Sequence, residues 1–228
     1  MRCMNLIAGI GRMGGARRLR RAAWPLLALV AGCGTTQFEA HPSIPTPLVT
    51  RIPIVVGVYM APEFREKVYR EKREGGDFAI TIGKAQADGF MRLMEAMFDR
   101  AVPVASADAG ARTDPGIRGV IEPVLEDFAF VTPSDSGSDV YAVSLKYRVN
   151  GYRPDGQFFD SWSYTGYGTA AATGMLSSGA VTLQQATQLA MRDAAAKLAT
   201  EFREQAVVRG LLPTEASPAA AEVAPPPP

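Results

Sequence analysis

Val-Tyr-Ala-Val-Ser-Leu-Lys-Tyr-Arg-Val-Asn, residues 140–150, is the stretch that decides the fold of this chain. Apolar or aromatic residues occupy every second position, namely Tyr141, Val143, Leu145, Tyr147 and Val149. Polar residues alternate with them, namely Ser144, Lys146 and Arg148. Because successive side chains of a strand point to opposite faces of a sheet, this alternation predicts a strand with one face on the core and the other in water.

The segments on either side predict two antiparallel partners for this strand. A strand is expected over residues 117–131, bent at Pro123, and it ends in the turn sequence Pro-Ser-Asp-Ser-Gly-Ser that starts at Pro133. The tight turn Arg-Pro-Asp-Gly, residues 153–156, leads to a third strand over residues 158–167. We therefore expect a three-stranded antiparallel meander.

Further strands are predicted in the first half of the chain. The β-branched run over residues 52–59 is typical of a buried strand. The charged segment that follows, residues 63–74, fits either a solvated helix face or the arm of a long hairpin, and it is also a candidate partner-binding surface. The Gly-Gly turn at 75–76 favours a returning strand over residues 78–82, and another short strand is expected over residues 102–104.

Two segments have the period of an amphipathic helix. In residues 84–100 the apolar side chains recur at steps of three and four residues; they are Phe90, Leu93, Met94, Met97 and Phe98. The second helix is expected to begin at Thr182, with Gln185 as its capping-box partner, and to end near Gly210. Its buried face includes Leu198 and Phe202. The predicted fold class is α+β, an antiparallel sheet of about 4–6 strands with both helices packed on one face.

The amino-terminal region has the order of features found in a processed secretion signal. An arginine cluster at residues 17–21 precedes the apolar run of residues 22–31, which Pro25 interrupts and which is too short to span a bilayer. Val30-Ala31-Gly32-Cys33 resembles the lipobox of bacterial lipoprotein precursors. The resemblance implies a signal peptide over residues 1–32, cleavage before Cys33 and acylation of that cysteine.

Two alternatives to a lipoprotein signal and three possible starts of translation exist at this end of the chain. The same run fits an ordinary secretory signal or a buried apolar segment. Met1, Met4 and Met13 are alternative starts of translation. The lipoprotein interpretation uses the charge, the apolar run, the small residues and Cys33 together, whereas each alternative uses only some of them.

Composition then divides the processed chain into three parts. Residues 33–50 are expected to be the lipidated cysteine and a tether that contains Pro42, Pro45 and Pro47, since proline favours an extended conformation. Residues 51–212 are expected to form a single α+β domain. Residues 213–228 end in four prolines and are predicted to be a disordered tail.

Charge and residue usage exclude several kinds of chemistry. Six of the 24 basic residues and none of the 23 acidic residues precede Cys33, so the processed chain has a net charge of −5, which argues against nucleic acid as a partner. Cys3 is removed with the signal and Cys33 is consumed by lipid. The single histidine, His41, lies in the tether. We therefore predict no enzyme, no cofactor and no metal site.

Two groups of residues in the meander are candidate sites. Glu122, Glu126 and Asp127 are candidate carboxylates for acid–base chemistry, but Glu122 and Glu126 share one face of the strand, which is expected to be the wet side of the sheet. Trp162, Tyr164 and Tyr167 form a candidate ligand or partner patch, with packing within the sheet as the alternative.

The order of elements behind Cys33 resembles small outer-membrane lipoproteins of the lipopolysaccharide-assembly type, over about residues 52–212. The resemblance is architectural, and no ligand-binding residue carries over from it. It implies an anchor in the outer membrane through acyl chains on Cys33, with the domain facing the periplasm. Gly34 is consistent with this, because aspartate at that position marks inner-membrane retention in enteric-type lipoproteins.

Two functions follow from these expectations. The first is a non-enzymatic adaptor in envelope assembly, transport or cell-wall regulation, whose partners are envelope proteins of unknown identity. The alternative is a carrier that holds a lipid or glycan in a groove between helix and sheet. A filled interior favours the adaptor, and an apolar cavity of several hundred Å³ favours the carrier.

Overall fold

The structure is a computed structural model that describes residues 35–40, 47–73, 76–172 and 178–208, the last six of these by their backbone alone. Cys33, His41 and the tail over 213–228 lie outside these residues. The strands are β1 (Thr36–Glu39), β2 (Ile52–Tyr59), β3 (Val68–Arg73), β4 (Gly76–Thr81), β5 (Phe98–Val104), β6 (Ile117–Val131), β7 (Val140–Tyr152) and β8 (Phe158–Ala171). The helices are α1 (Pro62–Arg65), α2 (Gly83–Met97), α3 (Gly110–Thr113), α4 (Pro133–Ser136) and α5 (Gly179–Val208).

The predicted meander is confirmed. Strand β7 pairs antiparallel with β6 on one side and with β8 on the other, along nearly its whole length. Leu145 lies opposite Phe128 and Gly166 in the two pairings, and the alternating side chains of β7 separate into a buried and a wetter face. Residues 140–150 therefore lie in the central strand of this meander.

The fold class is α+β, but the expectation of one antiparallel sheet was wrong. The described residues form a five-stranded sheet with the order β5-β2-β6-β7-β8 and a three-stranded sheet with the order β1-β4-β3. Strand β2 runs parallel to both β5 and β6, and β1 runs parallel to β4. Parallel neighbours need a crossover connection, and here α2 lies in the connection that returns the chain from β2 to β5.

The charged segment is the arm of a hairpin, which decides between the two structures that the sequence allowed. Strands β3 and β4 pair antiparallel, with Arg73 opposite Gly76 at the tip. The Arg73 guanidinium donates to the carboxylate of Asp135 at 2.6 Å and to the carbonyl oxygen of Phe130 at 3.0 Å. It also lies 3.9 Å from the centre of the Phe130 ring. The hairpin tip is thereby joined to the end of β6.

The predicted tether over residues 33–50 contains a strand close to its start. Thr36–Glu39 is strand β1, with Thr36 opposite Phe78, and the Ala40 amide donates to the carbonyl oxygen of Thr81 at 2.9 Å. Four residues are too few to show a period of two, so this strand left no readable pattern. The folded domain begins at Thr36, three residues after Cys33, rather than at the predicted boundary.

Both long helices contribute to one buried cluster with the five-stranded sheet. From the helices it contains Phe90, Leu93, Met97, Leu198 and Phe202, and from the sheet Ile52, Val56, Val149 and Trp162. Helix α5 begins at Gly179, one turn earlier than predicted. Thr182 lies inside the helix, so the capping-box prediction was wrong. The Ser178 hydroxyl oxygen accepts from the Val181 amide at 3.4 Å instead.

Helix α5 approaches strand β8 so closely that the strand must carry glycine. A Cβ atom on Gly166 would lie 2.1 Å from the carbonyl oxygen of Ala190, and one on Gly168 would lie 2.1 Å from that of Ala186. Both obstacles are helix backbone, which cannot rotate away. The alanines of α5 and the alternate glycines of β8 therefore set the distance between helix and sheet.

The same helix covers the polar backbone of β8, which is an edge strand of the five-stranded sheet. The Asp193 carboxylate accepts from the Tyr167 amide at 2.9 Å, and the Lys197 ammonium donates to the Thr165 carbonyl oxygen at 2.7 Å. Lys197 also donates to Asp193 at 2.7 Å. Edge strands with free backbone groups invite pairing with other chains, and these two side chains occupy part of that edge.

We predict that Asp193→Asn makes the domain less stable only where the carboxylate would be ionised. The Lys197 ammonium first, and then the Tyr167 amide, hold the pKa of Asp193 below its usual value. The contribution of the Asp193 carboxylate to the free energy of unfolding is therefore present above about pH 4, and it is lost as the pH falls through the lower pKa of the folded state. We expect a loss of about 1 kcal/mol or less at neutral pH, because the pair is partly exposed.

Thermal melts of the parent and the variant at neutral pH and at about pH 2 test this expectation. Arg192→Gln, at an exposed neighbouring position on α5, is the control and should leave the melting temperature unchanged at both pH values. A difference between parent and Asp193→Asn that is as large in acid as at neutral pH would contradict the assignment.

Candidate functional site

The three aromatic residues of the candidate patch do not form one surface. Trp162 is 4% exposed and Tyr164 is 5% exposed, and both belong to the core cluster. Tyr167 is 62% exposed and points to the opposite side of β8. The predicted patch was therefore wrong, and packing within the sheet accounts for two of its members. The period of two was the signal available in the sequence, since it separates position 167 from positions 162 and 164.

The meander has a second face, which we name the outer face. Its side chains point away from the core, and those on β6 are Glu122, Val124, Glu126, Asp127, Ala129 and Val131. Those on β7 and β8 are Ala142, Ser144, Lys146, Arg148, Asn150, Ser163, Thr165, Tyr167 and Thr169. Most of them are half-buried or exposed, whereas the alternate residues of the same strands are buried. The sequence predicted only that this side of the sheet is in contact with water.

One part of the outer face carries paired charges. The Glu126 carboxylate lies 3.0 Å from the Lys146 ammonium and 3.3 Å from the Arg148 guanidinium. These side chains come from neighbouring strands, so the pairs run across the sheet. Both cations share the Glu126 carboxylate, and the exposed Asp127 lies in register with Lys146, so charges of both signs alternate in this region.

Glu122 has partners of its own and does not form an acid–base pair with Glu126. Its carboxylate accepts from the Tyr152 hydroxyl at 2.6 Å and from the Asn150 amide at 3.0 Å. Burial raises the pKa of Tyr152 to about 12, and the hydrogen bond to Glu122 adds to the shift. Tyr152 therefore remains a neutral donor at neutral pH, and the arrangement holds side chains in place rather than moving a proton.

The other part of the outer face surrounds Tyr167, whose ring centre lies 5.0 Å from the Lys197 ammonium of α5. Tyr167 lies in register with Ser144 and Ala129, and the next row contains Val131 and Ala142. An exposed aromatic side chain thus stands among small residues, next to the charged rows. Aromatic residues surrounded by small or polar ones are typical of contact points between proteins.

The interior between the two helices and the sheet is filled almost completely. The cavity there has a volume of about 40 Å³, and its wall includes Phe90, Val149 and Leu198. Gln86 and Tyr147 form its polar corner, where the tyrosine hydroxyl donates to the glutamine oxygen at 3.3 Å. Burial raises the pKa of Tyr147. One water molecule occupies about 30 Å³ in the liquid, so this space is far too small for an acyl chain or a sugar.

Surface depressions also occur among the described residues, and two of them are large enough to compare with a ligand site. One of about 190 Å³ lies between α1 and β6, with Phe64, Lys67 and Val124 on its wall. The second, of about 400 Å³, is a shallow and mostly polar depression over the three-stranded sheet, where Gln37 and Arg70 contribute to the wall. Enclosed, mainly apolar walls are typical of sites for lipids and other small molecules. The larger depression lacks them.

Metal sites and membrane spans are both absent from the part of the chain that the structure describes. No cluster of three or more histidine, cysteine, aspartate or glutamate side chains suited to a metal ion occurs there. Nor does any helix within those ranges combine the length and the apolar character that crossing a bilayer requires.

No model of a known protein family matches the sequence, and no curated protein matches it. Several solved structures are similar to it. A minor lipoprotein from Acinetobacter baumannii is 7% identical, with 68% of this chain and 95% of that chain covered and a TM-score of 0.37. A protein from Helicobacter pylori described as a neuraminyllactose-binding hemagglutinin homolog is 11% identical, with 76% and 98% covered and a TM-score of 0.48.

A hypothetical protein from Chlamydia trachomatis is 12% identical, with 67% of this chain and 97% of that chain covered and a TM-score of 0.42. A lipoprotein is thus among the solved structures similar to this chain. At these TM-scores the similarity assigns the chain to no family and to no function.

Proposed function

We propose that this protein is a lipid-anchored lipoprotein of the bacterial envelope, and that its domain is a non-enzymatic adaptor that acts through protein contacts. The small volume of the interior cavity is the observation that favours an adaptor over a carrier. Ligand sites for drug-sized molecules enclose about 300–1,000 Å³, whereas the space between helices and sheet is about 40 Å³. A lipid or glycan held between helix and sheet would have to displace the core.

The outer face supports the adaptor role. It combines a charged region around Glu126 with the exposed Tyr167, beside whose ring the Lys197 ammonium of α5 lies. Protein interfaces are commonly flat, with an aromatic contact at the centre and polar groups at the rim. We propose that an envelope protein binds this face.

The lipobox supports the anchor and its location. We place the acyl chains on Cys33 and, because Gly34 rather than aspartate follows it, the anchor in the outer membrane with the domain in the periplasm. Each buried methylene contributes about 0.8 kcal/mol, and stable anchoring requires more than one chain. Acylation of the sulfur and of the new amino group would therefore hold the protein in the membrane.

Cys33→Ser should release this anchor. Without the thiol, neither lipidation nor cleavage by the lipoprotein-specific peptidase can proceed, so we expect uncleaved precursor or protein released by another cut. Mass spectrometry of the mature amino terminus, with fractionation of membranes, measures both effects. Ser43→Ala, at the middle of the proline-containing segment, is the control. An unmodified Cys33 in the parent protein would contradict the anchor.

Photo-crosslinking tests the adaptor role. A benzophenone amino acid at Tyr167 in the full-length lipoprotein should give a discrete protein adduct in intact cells. The same group at Glu95, exposed on α2, is the matched control and should not give that adduct. Solvent extraction of the purified protein should release no stoichiometric lipid or glycan beyond the acyl chains of Cys33. A stoichiometric ligand without an adduct at 167 would favour the carrier instead.

A further inference from the structure

The link between the anchor and the folded domain is very short. Cys33 precedes Thr36, the first residue of β1, by three residues. An extended chain spans at most about 3.3–3.6 Å per residue, so the link reaches about 10 Å. The tether predicted from the prolines would have allowed a much longer reach, but those prolines follow β1 rather than precede it. If Cys33 is in the membrane, the start of β1 is close to the membrane surface.

The direction of β1 identifies the end of the domain that would lie near the membrane surface. Thr36 lies opposite Phe78, and β1 runs parallel to β4, so the chain before Thr36 continues toward Gly76 at the tip of the β3–β4 hairpin. That tip is fixed to the end of β6 by the ion pair between Arg73 and Asp135. The rings of Phe78 and Phe130 lie 4.8 Å apart, which brings β4 to the same level as the end of β6.

We name this part of the molecule the anchor-proximal end. It comprises the hairpin tip, residues 131–140 around α4, and the first turn of α5. The end of β8 is joined to this region because the Ala172 amide donates to the Asp139 carbonyl oxygen at 2.8 Å. Gly179, at the start of α5, lies against the hydroxyl of Tyr141.

The anchor-proximal end also exposes apolar side chains. Val131, Val140 and Val181 are exposed at this end, and Phe158 is exposed at the opposite end, beside the β7–β8 turn. Single exposed apolar residues are ordinary on a protein surface. The assignment of this end to the membrane therefore rests on the short link and on the direction of β1.

We propose that the anchor-proximal end faces the lipid bilayer and is held against it by the short link, so that the domain has one fixed orientation on the membrane. The proposal rests on the lipidation of Cys33 proposed above. The opposite end, which contains the β7–β8 turn at residues 153–157, then points away from the membrane. Strand β7 has 13 residues, and at about 3.3 Å per residue it separates the two ends by about 40 Å.

Fluorescence quenching measures this orientation in the lipidated, full-length protein. Cys33 is the only cysteine of the processed chain, so a thiol-reactive dye labels an introduced cysteine alone. Asp139→Cys places the dye at the anchor-proximal end, and Gln157→Cys places it in the distant turn; both positions are exposed. The proteins are reconstituted in phosphatidylcholine vesicles that contain a lipid with a nitroxide on its headgroup.

We expect the dye at position 139 to be quenched several-fold more than the dye at position 157. A third protein carries Asp139→Cys and a Gly/Ser insertion of about 15 residues between Gly34 and Thr35, with an r.m.s. length of about 20 Å. In that protein we expect most of the additional quenching to disappear. If it persists, the short link is not what orients the domain, and the proposal is overturned.

The same samples separate this proposal from the proposed anchor. Mass spectrometry of each sample reports whether Cys33 carries acyl chains. Equal quenching at positions 139 and 157 in a lipidated protein overturns the orientation and leaves the anchor standing. An unmodified Cys33, with protein that does not float with the vesicles, overturns the anchor and with it the orientation.

Discussion

Gly168→Ala is expected to lower the free energy of unfolding by about 3 kcal/mol or more, which is at or beyond the upper part of the range for overpacked cores. The added Cβ would lie 2.1 Å from the carbonyl oxygen of Ala186 and 2.4 Å from the amide nitrogen of Ala190. Both atoms are backbone of α5, so no side-chain rotation relieves the clash. The helix must move away from β8 and weaken its packing along the strand.

Urea unfolding of Gly168→Ala tests this expectation. The fluorescence of Trp162 reports it directly, because Trp162 is buried 5.3 Å from the ring of Phe202 on α5. Gly119→Ala is the matched control: the same methyl group on β6 would meet only the carbonyl oxygen of Tyr152, at 3.2 Å. We expect the control to change stability by about 1 kcal/mol or less. Equal effects of the two substitutions would show that α5 does not lie on β8 as described.

Leu198→Asp is expected to have an effect of similar or greater size. Leu198 is buried on α5 among the side chains that close the small cavity, near Phe90 and Val149. Truncation to alanine would cost about 2–5 kcal/mol. A carboxylate at this position adds the cost of burying a charge that has no partner, or the cost of protonating the group if it becomes neutral. We therefore expect the variant to be largely unfolded at 37 °C.

Circular dichroism and thermal melts of Leu198→Asp, Leu198→Ala and Ala196→Asp separate the two contributions. Ala196 is exposed on the same helix, two residues away, so its replacement introduces the same charge without burying it. We expect Ala196→Asp to melt like the parent and Leu198→Ala to lie between the parent and Leu198→Asp. A Leu198→Asp variant as stable as the parent would mean that α5 is not docked through this residue.

Stability and partner binding should depend on different residues in this protein. The helices and the small sheet cover one face of the meander, and the substitutions above act there. The outer face is built from the alternate residues of the same strands, so a change at Tyr167 need not disturb Trp162 or Tyr164. If the domain is also oriented by the link before Thr36, that face stands at a constant position above the membrane.

Parts of the architecture could be predicted because their cause is local. The alternation around Leu145 records which side chains of β7 are buried, and the three- and four-residue steps around Leu93 do the same for α2. Turn-forming residues such as those at 153–156 place the hairpin. Each of these signals lies within a few residues, and a period of two or of 3.6 follows directly from the geometry of the backbone.

The candidate site was predicted less well, for an identifiable reason. Trp162, Tyr164 and Tyr167 were grouped by residue type, whereas the geometry of a strand separates them by position. Gly166 and Gly168, which mark where α5 lies on β8, share the side of the strand that Trp162 occupies. Small residues on one side of a strand were thus a readable sign of a packed helix.

The sequence by itself determined the strands of the meander and the face that each amphipathic helix buries, and the resemblance of residues 30–33 to a lipobox is likewise local. Only the tertiary structure decided that β2 runs parallel to β5 and β6, and that Thr36 pairs beside Phe78 in a second sheet. The physical reason is that periodicity reports which side of a segment is buried but not against what. Strand partners and directions depend on contacts between residues that are far apart in the chain, and a segment as short as β1 has too few residues to carry a period at all.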